Sequence, residues 1–114
     1  MANLSHETVT RILSLQRKIW TIINETTATE FSLLEQYGET EATISDLDML
    51  QNTKERTTTY YSRLYTLSLR IAEAQPLAPV AMIELLERTL KEAEAISDAS
   101  SATIQEIKRD WNLL

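Results

Sequence analysis

Apolar residues recur along this chain at alternating three- and four-residue steps, in three runs separated by Gly38 and by the pair Pro76 and Pro79. That spacing keeps one face of an α-helix continuously apolar, and glycine and proline are the residues most apt to end a helix. In the first run the steps read Val9, Ile12, Gln16, Ile19, Ile23, Thr26, Glu30, Leu33 and Tyr37. Leu13, Trp20 and Leu34 widen this seam on one flank, and Leu15 and Ile22 widen it on the other. Ser5 is placed to cap the helix, with Glu7 in its first turn, and Gly38 supplies the left-handed residue that commonly follows a last turn. A helix is predicted over residues 5–37.

The second run predicts a helix over 40–74, with the seam Leu47, Leu50, Lys54, Thr57, Tyr61, Leu64, Ser68 and Ile71. Ser45 followed by Asp48 resembles a capping box, which would start the ordered helix there. Thr57, Thr58 and Thr59 are mediocre helix formers, so packing must hold that stretch helical. Pro79 suits the first position of a third helix over 79–112. Its seam is the cleanest: Ile83, Leu86, Leu90, Ala93, Ser97, Ser100, Ile104, Ile107, Trp111 and Leu114. Thr103 with Glu106 would cap a separate fourth helix, but the unbroken register through 97–103 favours one continuous rod.

Three rods with short connections lie antiparallel in chain order. The fold expected is therefore all-α: an elongated antiparallel three-helix bundle with coiled-coil-like heptad packing, one domain over residues 1–114. Folding at Gly38 and between the prolines gathers Leu33, Leu34, Tyr37, Ile44, Leu47, Ile107 and Trp111 at one end. It gathers Val9, Ile12, Leu13, Leu64, Leu67, Ile71, Ile83, Leu86 and Leu90 at the other. Between them, Trp20, Tyr60 and Tyr61 are expected to fill space left by Ala93, Ser97, Ala99 and Ser100, large against small. Glu30 with Lys108, and Lys54 with Glu25 or Asp98, are the expected charge pairs.

Composition removes several functions. Eleven Lys and Arg against seventeen Asp and Glu give a net charge of −6, the wrong sign for tracking a nucleic-acid backbone. There is no cysteine, hence no disulfide framework or thiolate site. The first residues lack the basic and apolar pattern of a signal peptide, and no apolar run approaches the roughly 20 residues of a membrane span. A cytoplasmic protein is expected.

Candidate chemistry is thin. His6 is the single histidine and has no partner at ligand spacing. Glu84 and Glu87, followed by Glu92 and Glu94, resemble the start of an acidic magnesium site, which also needs carboxylates facing it from another helix. One glycine allows no phosphate-cradling loop, and Glu-x-x-His is missing. No catalytic, metal or cofactor-binding residue is assigned. The broad apolar arc of the first helix instead points to a non-enzymatic interaction module, packing helix faces against a protein partner or a second copy. Leu15, Ile22, Tyr65 and Leu69 are the anchors this reading selects. The alternative is a metal-dependent hydrolase of phosphorylated small molecules using Glu84 and Glu87; a weaker third reading binds a basic partner through the acidic faces.

Overall fold

The structure is a computed structural model that describes residues 4–113. It contains α1 (His6–Tyr37), α2 (Ile44–Glu73) and α3 (Val80–Asp110), each packed against both others in a rod of 56 × 20 × 18 Å. The long dimension is that of one helix, since 32 residues at 1.5 Å each span about 48 Å. The third helix is continuous through 97–103, and Thr103 donates its hydroxyl back to the Ala99 carbonyl at 3.0 Å instead of capping a new helix. Leu114 of the third seam lies outside the described residues.

Each helix end has a local cause. The Ser5 hydroxyl accepts the Thr8 amide at 3.1 Å, the capping bond expected of it. Gly38 adopts φ 75° and ψ −178° while its amide closes on the Leu34 carbonyl at 2.9 Å. The sign of φ is the one predicted, but ψ is extended, a combination tolerated essentially by glycine alone. Ser45 and Asp48 do not cap α2; both lie inside it. The turn is organised by threonines instead. The Thr40 hydroxyl accepts the Ala42 and Thr43 amides, and the buried Thr43 hydroxyl accepts the Thr40 amide and donates to the Gly38 carbonyl at 2.8 Å. Pro79 sits one residue before α3, its carbonyl receiving the Met82 and Ile83 amides.

The core has two apolar clusters. Ile12, Leu15, Ile19, Leu64, Ile71, Leu86, Leu90 and Ala93 form one, with Tyr60, Tyr61 and Leu67 packed against it. Ile22, Leu33, Leu47, Leu50, Ile104 and Ile107 form the other, closed by Trp111 and Leu113. Between them the interior is polar. Thr26, Thr29, Thr53, Thr57, Ser97 and Ser100 are all buried. Thr26, Thr29 and Thr57 resolve this by donating to the carbonyl four residues back, at 2.7, 2.7 and 2.8 Å. Burying each of the surrounding Leu and Ile side chains contributes about 1.5–3 kcal/mol, which outweighs the roughly 0.5 kcal/mol helix-propensity cost of each threonine.

The α1 seam differs from the expected one. Its buried positions are Ile12, Leu15, Ile19, Ile22, Thr26, Thr29 and Leu33, an unbroken heptad pattern. Leu15 and Ile22 are only 5% and 3% exposed, so they belong to the core and not to a surface. Trp20, expected inside the waist, is 70% exposed, and Leu13 and Leu34 also face solvent. The physical reason is that the flank carrying Leu15, Ile22 and Thr29 turns inward, beside Arg11 and Lys18 which pair with α3, and this rotation carries the Trp20 flank outward.

Candidate functional site

Three helices packed in a triangle leave three long grooves, and here each groove has its own chemistry. Between α1 and α3 it is charged. Arg11 donates to Glu87 at 2.8 Å and to Glu94 at 2.7 Å, and Lys18 pairs with Asp98 one heptad step along. The hydrogen bond from Arg11 holds the Glu94 carboxyl below its ordinary value, and Glu94 in turn raises Arg11. The expected pairings of Glu30 with Lys108, and of Lys54 with Glu25 or Asp98, are not among the ion pairs of the described residues. Between α2 and α3 the groove mixes Arg63, Arg70 and Glu92 with Leu67 and Leu85, and Arg63 lies over the Tyr60 ring at 5.1 Å.

Between α1 and α2 the groove is apolar and open. It encloses about 500 Å³ and is lined by Leu4, Val9, Ile12, Leu13, Gln16, Tyr65, Ser68, Leu69 and Ala72. None of these carries a formal charge, in a chain whose net charge is −6. Of the four anchors selected from the sequence, Tyr65 and Leu69 are exposed at 56% and 45% and meet in this groove. Leu15 and Ile22 do not reach it. Their place is taken by residues the sequence reading had put in the core: Val9, Leu13 at 60% exposure, and Trp20 beyond it on the same flank of α1. A contiguous apolar stretch of this kind differs from scattered exposed leucines, because its members share one concavity.

The far end of the rod is tied, not open. The Trp111 indole donates to Asp46 at 2.7 Å, the Tyr37 hydroxyl donates to the Trp111 carbonyl at 2.9 Å, and the two rings meet at a tilt with centroids 5.0 Å apart. One residue thus fastens the ends of all three helices.

Acid chemistry is dispersed. Glu84 is exposed, while Glu87 is engaged by Arg11. Among the described residues no cluster of three or more His, Asp or Glu is placed to hold a metal ion. His6 is exposed in the first turn of α1. Among the described residues no helix is long and apolar enough to cross a membrane. Compared with protein families, with curated proteins and with solved structures, the chain matches none.

Proposed function

We propose that this protein is a non-enzymatic helical interaction module that docks a protein partner, or a copy of itself, along the open groove between α1 and α2. The observation that carries the reading is the concentration of exposed Val9, Leu13, Tyr65 and Leu69 around one uncharged concavity. The other two grooves carry charge, and α1/α3 is already occupied by its own ion pairs. A helix laid in an apolar groove is a common mode of recognition, in which side chains at helical spacing fill the channel. A cytoplasmic setting belongs to the same reading, supported by the absence of cysteine.

The test is site-specific photo-crosslinking in the cells that make the protein. A photoreactive side chain at Leu13 or Leu69 is expected to yield a discrete adduct, while the same group at Arg88 or Lys91 on exposed α3 yields none. Adducts that ignore position, or none from the groove, remove the proposal.

A further inference from the structure

Resting on that reading, we infer that the occupant of the groove is a second copy of this chain, related by a two-fold axis running along the rod. The argument begins with the direction of the walls. α1 and α2 are antiparallel and both present apolar residues toward the same end, Val9 and Leu13 from one and Tyr65 and Leu69 from the other. A two-fold parallel to the helices lays α1 of one protomer over α2 of its partner, and α2 over α1. Every neighbouring pair in the resulting four-helix layer is then antiparallel, the arrangement of up-and-down bundles. Heights are preserved by this operation, so the apolar end of one protomer meets the apolar end of the other. A two-fold across the rod would instead lay α1 over α1 and α2 over α2.

Charge supports the same axis. Farther along the groove α1 carries Glu30, two heptads beyond Gln16, and α2 carries Lys54, two heptads from Ser68. Both are half-buried, and neither forms an ion pair among the described residues. Measured from the Gly38–Thr43 turn they differ in height by about 4.5 Å, three residues of helical rise. One wall is negative and the other positive at nearly one level. The lengthwise two-fold brings each Glu30 over the partner's Lys54, twice per dimer. A partner of unrelated sequence has no reason to match this placing of one acid and one base across the groove.

Sedimentation equilibrium on the full chain tests this. Wild type is expected to be a dimer, and Leu13→Glu a monomer with unchanged helical content, because Leu13 is exposed in the single chain. Glu30→Lys and Lys54→Glu are each expected to weaken pairing about 5-fold or more, since each sets like charges together. The double exchange restores it to within about 2-fold, a rescue specific to self-pairing. A monomer at all concentrations up to about 0.5 mM overturns the inference, as does a dimer indifferent to Leu13→Glu or a double exchange no better than the singles. If the chain is a monomer yet still crosslinks a different protein from Leu13, self-pairing falls and the docking groove stands; if neither occurs, both fall.

Discussion

Ser97 shows how a single buried hydroxyl sets the character of the waist. Its side chain is fully buried, and its Oγ has no hydrogen-bond partner among the described residues. Thr26, Thr29 and Thr57 satisfy their hydroxyls against their own helices; Ser97 does not. A buried polar atom left unpaired costs about 1–3 kcal/mol, so removing it is favourable when the replacement fills nearly the same space. Ser97→Ala is therefore expected to raise stability by about 1 kcal/mol, read as a shift in the urea midpoint at constant slope. A loss of similar size would mean that an ordered water satisfies the hydroxyl. Thr57→Ala is the matched control. Its hydroxyl is paired at 2.8 Å, so the same truncation at this fully buried site lowers stability.

At the scale of the helix, α1 shows what periodicity can and cannot decide. Residues 12, 19, 26 and 33 are buried in either reading of its seam; the choice lies between Leu15, Ile22 and Thr29 on one flank and Gln16, Ile23 and Glu30 on the other. A three-helix bundle needs α1 to be apolar toward two neighbours, so both flanks carry apolar side chains and the pattern alone is degenerate. The signal that resolves it is polarity. The seam through Leu15 and Ile22 contains no charge or amide, whereas the alternative admits Gln16 and Glu30. In α3 no such ambiguity arises, and its seam is buried as read from Leu86 to Ile107, through the small residues Ala93, Ser97 and Ser100. The turn into α2 was not, because Thr40 and Thr43 act through a mutual network that no short capping pattern describes. Paired truncations test the register of α1. Leu15→Ala is expected to cost about 2–4 kcal/mol, while Leu13→Ala stays within about 0.5 kcal/mol at concentrations that keep the chain monomeric. Equal losses at the two sites would place the Leu13 flank in the core after all.

Across the whole molecule, the three grooves differ in what closes them. The three ion pairs among the described residues all join α1 to α3, while exposed apolar side chains gather between α1 and α2. The charged groove is closed by the chain's own side chains, and the apolar one is left open. Arg11 is central to this, bridging Glu87 and Glu94 at once. Because its hydrogen bond holds the Glu94 carboxyl below 4.5, the folded chain favours the ionised form more than the unfolded chain does. The resulting stability is present above pH 4.5 and is lost as pH falls through the depressed folded value. Both partners are substantially solvated, so screening limits the contribution to about 0.5 kcal/mol. Comparing wild type with Glu94→Gln isolates it, since the general effect of protonating an acidic protein is shared by both. The wild type is expected to be the more stable by that amount at pH 7, with the gap narrowing below pH 4.5 and closing as pH falls through the depressed folded value. Urea midpoints of the two proteins across that range are the measurement. A gap that persists unchanged in acid would mean that Glu94 holds α1 to α3 by the packing of its chain and not by its charge.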